Sequence, residues 1–433
     1  MKIKFLAASA VVLAVGAAAC APGPAAPTAP QAQGPVNTAA PASKVSLSLV
    51  STPESGAAVK EIITAFQAKY PNVTIHYQDT NFDDYNKSLN LSLASDQAPD
   101  IVLLNSVGTT VKDGLVRDLS AYDAAYKWSS VYPSAQLDQW RVAENGTTLG
   151  TGKLYAAPAG FSEVGVYYNK TKAAELGMTT PPTSVSQFEE LLARAKAKGE
   201  RPLQLGNADG GASFIVQLMG QSQDGPQQAA KWIFGQPGRS FDTAGNRAAA
   251  AKLVEWTQKG YVSADANGVD AQTAVSQFTK GDGVFLVDGN WDASKISDGL
   301  RADAGFMLFP APHGTAIGTS VAYGISAKSK NPDAAALFLD FLHSGQASAA
   351  EFKAGFMPAD LTAAKPAPGT LMSDVVAAWG KVNADNGLVG FNNNATPTMN
   401  DTLIATTQQL IGNKVTVDGF IGAVQDNWAK THG

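Results

Sequence analysis

The chain holds one cysteine, Cys20, in 433 residues. No disulfide can staple its folded part, which must rely on core burial. A chain of this length supplies that easily. Charge is sparse: Asp, Glu, Lys and Arg make up 16% and the formal net charge is −5. A thin, slightly acidic balance argues against nucleic acid or an anionic membrane surface as partner. The four histidines, His76, His313, His343 and His432, show no metal-ligand spacing, and no cysteine stands near to help them. The sequence lacks a Gly-x-Ser-x-Gly elbow, a phosphate-cradling P-loop and a dinucleotide fingerprint. Those absences leave glycoside hydrolysis as the enzymatic rival, because it needs only a pair of carboxylates.

Long hydrophobic runs are missing too. The apolar stretch from Phe5 to Val15 is too short to span a bilayer core of about 30 Å. With Lys2 and Lys4 before it and Gly16-Ala17-Ala18-Ala19-Cys20 after it, the segment reads as a secretory signal over 1–20. It resembles a bacterial lipoprotein signal, which implies acylation of Cys20 and an extracytoplasmic, membrane-anchored chain; Ala17 stands where that pattern usually has Leu. From Ala21 to Ser43 there is no charge, and proline recurs at 22, 24, 27, 30, 35 and 41. Such a segment cannot offset its ordering entropy by burial. A disordered tether is expected over 21–43, reaching up to roughly 70 Å if extended.

Beyond the tether, periodicity takes over. Val45–Val50 alternates apolar and polar residues, and Val59, Ile62, Ile63 and Phe66 fall at helical spacing. Val73–Tyr77 is a second strand. A helix from about Asp83 to Ala94 precedes Ile101-Val102-Leu103-Leu104, an all-apolar run of the kind buried on both faces. This β-α-β-α-β order predicts a parallel sheet with helices on both sides. Ligands of such sheets bind beyond the carboxyl ends of the strands. Those ends carry Ser51, Thr52 and Glu54, and Asn105 and Ser106. The same residues can equally form turns or cap helices.

Several segments, in their joint order, resemble the extracellular solute-binding proteins of bacterial ABC importers, in the sugar-binding group that includes maltose-binding protein. They are Ala65-Phe66 to Tyr70-Pro71, Ala98-Pro99-Asp100-Ile101-Val102, Lys153-Leu154-Tyr155-Ala156-Ala157-Pro158 and Tyr167-Tyr168-Asn169-Lys170. Further on come Pro181 to Phe188, Asp288-Gly289-Asn290-Trp291, and Asn331-Pro332-Asp333-Ala334-Ala335 with Phe338-Leu339. The resemblance covers nearly all of the chain after the tether. It implies an α/β, two-lobed periplasmic-binding-protein fold, each lobe a mainly parallel sheet flanked by helices, with a hinge between the lobes. The expected lobes are 44–161 with 308–345, and 162–307 with 346–433. It further implies a monomer that uses no cofactor or metal, closes on a carbohydrate and docks on permease subunits.

A sugar offers apolar C–H faces to aromatic rings and hydroxyls to Asp, Glu, Asn and Gln. The resemblance puts Trp291 first as a stacking plate, with Asp288 and Asn290 beside it; a core tryptophan and turn-shaping neighbours are the alternative. Ser162 and Glu163 straddle the position of a family carboxylate, and Phe161 is either a platform or hinge packing. Asp209 and Phe214 lie in a stretch that borders the cleft in relatives, where Asp209 pairs with hydroxyls or caps a helix. Thr319 and Ser320 follow Gly318 in a loop that approaches ligand. Asn393 and Asn394 stand where relatives often carry an Asp-Trp pair, one charge and one ring fewer. The candidate loops hold no arginine or lysine, which favours a neutral ligand over a glycerol phosphodiester or sugar phosphate.

Overall fold

The computed structural model describes residues 35–433, apart from 133, 359–361 and 363. The expectations for the signal, for Cys20 and for residues 21–34 lie outside the described residues. The expected tether stops short of residue 43. Val36 packs against the core, and the Asn72 side-chain amide donates to the carbonyls of Pro41 at 3.0 Å and Ala42 at 3.3 Å. One apolar side chain and one capturing amide suffice to lay this stretch on the fold.

The chain opens with β1 (Val45–Ser51), α1 (Pro53–Lys69), β2 (Val73–Asp79), α2 (Phe82–Ala94) and β3 (Ile101–Leu104). Pro53 occupies the first turn of α1, where a missing N–H costs nothing. Val59, Ile62 and Phe66 turn its apolar stripe inward. Asn81 caps α2 by accepting from the Asp84 amide. All four residues of β3 are buried, as a central strand requires. A ribbon of β4 (Arg141–Val142) and β5 (Lys153–Leu154) precedes β6 (Ala157–Phe161). The chain then crosses into β7 (Val164–Asn169), β8 (Leu203–Gln204), β9 (Phe285–Gly289), β10 (Ala304–Met307) and β11 (Ala316–Ile317). It returns in β12 (Ser320–Ile325) and β13 (Met357–Pro358) and leaves again for β14 (Leu388–Val389).

Two six-stranded sheets result, one per lobe. The first runs β13-β6-β12-β3-β1-β2; the second runs β14-β11-β7-β9-β8, with β10 also on β7. The α/β, two-lobed architecture is therefore present, but the sheets are mixed rather than mainly parallel. β1 pairs in parallel with β2 and β3, whereas β12 runs against β3 and β6. The cause is the crossing itself: β6 leaves the first lobe and β12 enters it, so the two must oppose. The lobe division also departs from 308–345 and 346–433 in two places. β11 belongs to the second sheet, paired with β7 and β14. β13 belongs to the first, paired with β6. Strands of two residues carry no readable period.

Each sheet is buried by helices. Val164 and Val166 of β7 face a core with Phe188, Leu218, Leu253 and Trp428, while Tyr167 faces the opposite core with Phe306. Trp128, Trp140, Trp256 and Trp379 are fully buried, so most tryptophans serve packing.

Candidate functional site

The two lobes meet where β6 passes into β7 and β11 into β12. These crossings are bonded to each other. The Ser162 amide and hydroxyl both donate to the Thr319 carbonyl at 2.8 Å, and the Thr319 amide returns a bond to the Ser162 Oγ at 3.0 Å. Gly318 makes the approach possible, because a Cβ there would stand 2.0 Å from the Ser162 carbonyl oxygen. The Gln139 amide donates to the Gly318 carbonyl, and the Trp140 indole N–H donates to the Ser320 Oγ at 2.7 Å. Asn290, fully buried, accepts from the Glu163 amide at 3.0 Å and donates to the Phe161 carbonyl at 3.1 Å. Phe161 stacks on Trp379 with centroids 5.5 Å apart. The candidates Phe161, Ser162, Glu163, Asn290, Thr319 and Ser320 thus gather at the hinge. Ser162, Asn290, Thr319 and Ser320 bond there to other parts of the protein.

The first lobe brings Ser51 and Thr52 to the end of β1, both buried. The Ser51 and Ser55 hydroxyls lie 2.7 Å apart, and the Thr52 carbonyl accepts from Tyr77. The side chain of Glu54 is not among those described. Asn105, at the end of β3, donates to the Asn86 side chain at 2.9 Å; Ser106 beside it is exposed.

Across the gap, Trp291 is half-buried on the three-residue turn Asn290–Asp292 that ends β9. Its ring centroid lies 6.1 Å from that of Phe391, which lies 5.6 Å from Phe214. All three rings are half-buried, a plate with one face on the core. Asn393 donates to the Asn400 side chain while its own Oδ1 is buried without a partner. The Asn394 amide reaches over to the Asn105 carbonyl at 3.4 Å, a direct bond between lobes. Asp209 is exposed and accepts from the Ala271 amide at 3.0 Å, alongside Asp270, which caps the helix Ala271–Thr279. It therefore sits apart from the aromatic plate in role.

Buried carboxyls cluster around this region. Both oxygens of Glu163 lack a hydrogen-bond partner, and burial drives its pKa well above the usual carboxylate range. Glu351, against Gly160 of β6, is likewise unpartnered and pushed up to about 8 by burial. Asp288 is raised by burial and by the neighbouring Asp292; its Oδ1 accepts from the Gly289 amide at 2.8 Å. His343 is held neutral, its pKa lowered to about 4 by burial.

Sequence reasoning missed part of the lining. A cavity of about 20 Å³ lies between the lobes, bordered by Asn105, Ser106, Gln139, Trp140, Leu149, Ile233, Phe234, Thr319, Gly390 and Asn394. None of these residues is charged. The Leu149 amide donates to the Phe234 carbonyl at 2.8 Å across the gap. Gln217 holds the strip before Asn393 from beneath, bonded to the Gly390 carbonyl and the Asn392 amide. Two signals are readable: Trp140, a tryptophan able to face a cleft, and Phe391, an aromatic residue directly before three asparagines. Among the described residues, no group of three or more His, Cys, Asp or Glu is placed to hold a metal. No described helix is long and apolar enough to cross a membrane.

Two sheet-based lobes joined by bonded crossings, with an uncharged cavity between them, define the two-lobed architecture of the chain. Residues 50–349 match the family model of the bacterial extracellular solute-binding proteins, and the chain belongs to that family. It is 25% identical over 304 residues to the multiple sugar-binding protein of Streptococcus mutans, covering 68% of this chain and 70% of that one. Its fold matches a chitin oligosaccharide binding protein with a TM-score of 0.75 at 19% identity, over 90% of this chain and 99% of the other. It also matches the solute-binding protein RafE in complex with raffinose, with a TM-score of 0.69 at 17% identity, over 90% and 100%.

Proposed function

We propose that this protein captures a neutral mono- or oligosaccharide between its lobes and delivers it to the permease of an ABC importer, without covalent chemistry. The observation that carries the reading is an uncharged interlobe cavity bordered by Gly390 and Asn394, the stretch that also holds Phe391 of the half-buried plate of Trp291, Phe391 and Phe214. Rings cover the C–H faces of a sugar; the side chains of Asn105, Asn393 and Asn394 offer amides to its hydroxyls. The sugar-binding names of relatives support the ligand class. The lipoprotein-like start supports anchoring through Cys20, outside the cytoplasm.

Capture requires the lobes to part. The cavity of about 20 Å³ holds about one water, whereas small-ligand pockets run to about 300–1,000 Å³. Contacts from both lobes to one sugar then favour the closed arrangement. A thermal-shift screen tests the reading with D-galactose, maltose, raffinose, chitobiose, xylobiose and glycerophosphocholine. A neutral sugar should raise the melting temperature by mass action. A shift with the phosphodiester alone would move the ligand to the phosphate class, and labelled sugar turned over to product would make the protein a hydrolase.

A further inference from the structure

We propose that Asn290 is the positioning residue that sets the two lobes relative to each other, and that it ties this setting to its chain neighbour Trp291. The second half rests on the sugar-plate reading above; the first does not.

Asn290 is fully buried, and its bonds are not those of a turn former. An asparagine that shapes a turn bonds its own or adjacent backbone. Here the side chain reaches residues 127 and 129 positions away, the Glu163 amide and the Phe161 carbonyl. The Asn290 amide donates to the Glu163 carbonyl at 3.0 Å. The two bonds to Glu163 extend the β7–β9 pairing by one residue beyond Val164 and Gly289, and the bond to the Phe161 carbonyl carries the tie across to the end of β6. A second segment of the first lobe closes on the same residue. Gly355 has φ +101°, and a Cβ there would stand 2.8 Å from the Asn290 carbonyl oxygen. Only glycine allows that approach. Two stretches of one lobe thus converge on a single residue of the other.

Asn290 and Trp291 share one short helical turn, Asn290–Asp292. Moving the indole against a ligand moves the peptide that carries the clamp. Coupling needs an element whose setting both ends bias; this turn is bonded to the hinge through residue 290 and carries, at residue 291, a half-buried ring of the plate.

The test reads interlobe distance by pulsed electron paramagnetic resonance. The full chain carries Cys20→Ser, so that spin labels at Ala68→Cys on α1 and Ala193→Cys on the helix Val185–Ala197 are its only thiols. Both sites are exposed. Without any sugar, the parent should give one narrow distance, lost in Asn290→Ala. Asn290→Asp, which keeps an acceptor for the Glu163 amide, should recover part of it, and Gly355→Ala should shift the mean. An Asn290→Ala chain that melts at a lower temperature with an unchanged distance distribution overturns the proposal. If that variant fails to fold, unchanged distances in both Asn290→Asp and Gly355→Ala overturn it instead. In a second arm, the sugar giving the largest thermal shift should shorten the distance in the parent and leave it unmoved in Asn290→Ala at saturation. Equal shortening in both overturns the link to Trp291. Should no sugar shift the parent's melting temperature, the sugar reading falls while the first arm still decides the hinge claim.

Discussion

The hinge and the lip of the cleft meet at one turn, and the fold treats them in opposite ways. On the hinge side, Asn290 is fully buried, with both ends of its side-chain amide bonded to backbone. On the lip side, Trp291 is half-buried beside Phe391 and Phe214, and the Asn393 Oδ1 has no partner within the protein. At the hinge the Asn290 amide is fully paired while the neighbouring Glu163 keeps both carboxyl oxygens without a partner; at the lip the rings stay half-exposed.

Substitutions should separate the two regions, with hinge changes read in stability and lip changes in affinity. Gly318→Val is the harshest. Its side chain would collide with the Ser162 carbonyl, so the loss should exceed about 4 kcal/mol, seen as a missing cooperative urea transition. Asn290→Ala leaves the Phe161 carbonyl and the Glu163 amide unpaired. It should cost about 2–4 kcal/mol in urea unfolding. Trp291→Ala should invert the pattern, weakening sugar binding by about 2–3 kcal/mol with a smaller effect on unfolding. Phe391→Ala should follow in the same direction at about 1 kcal/mol, roughly fivefold in Kd.

The hinge side should also respond to pH. Glu351 has its pKa raised from 4.5 to about 8 by burial, so the native state keeps a proton that the unfolded chain has lost. Stability is then highest below the unfolded value and falls as pH rises towards 8, by at most about 1.4 kcal/mol per pH unit. His343 acts oppositely. With its pKa lowered from 6.5 to about 4, it removes stability as pH falls below 6.5. Glu163 and Asp288, also raised by burial, act in the same direction as Glu351, so the net decline should run upward from the unfolded carboxylate range in urea titrations and become shallower in Glu351→Gln.

Much of the first lobe was legible because its signals are local. Val45–Val50 alternates, α1 carries a helical stripe, and Ile101–Leu104 is apolar throughout. β11 and β13 were not, since strands of two residues take their place from partners far away in sequence. The site divides in the same manner. Trp291 stands out by type and by its place after an apolar strand. The roles of Ser162, Thr319 and Asn290 depend on bonds to distant backbone, and nothing in their neighbours announces those bonds. Leu149 and Phe234 were invisible for that reason too: their contact joins backbone atoms across the gap.

Calorimetric titration of the sugar selected by thermal shift, into the parent protein and into Trp291→Ala, addresses the central claim most directly. The parent should bind saturably and one-to-one, and the variant should lose about 30- to 150-fold in affinity while its urea transition stays cooperative. Equal affinity in both proteins, or no heat from any neutral sugar, would contradict it.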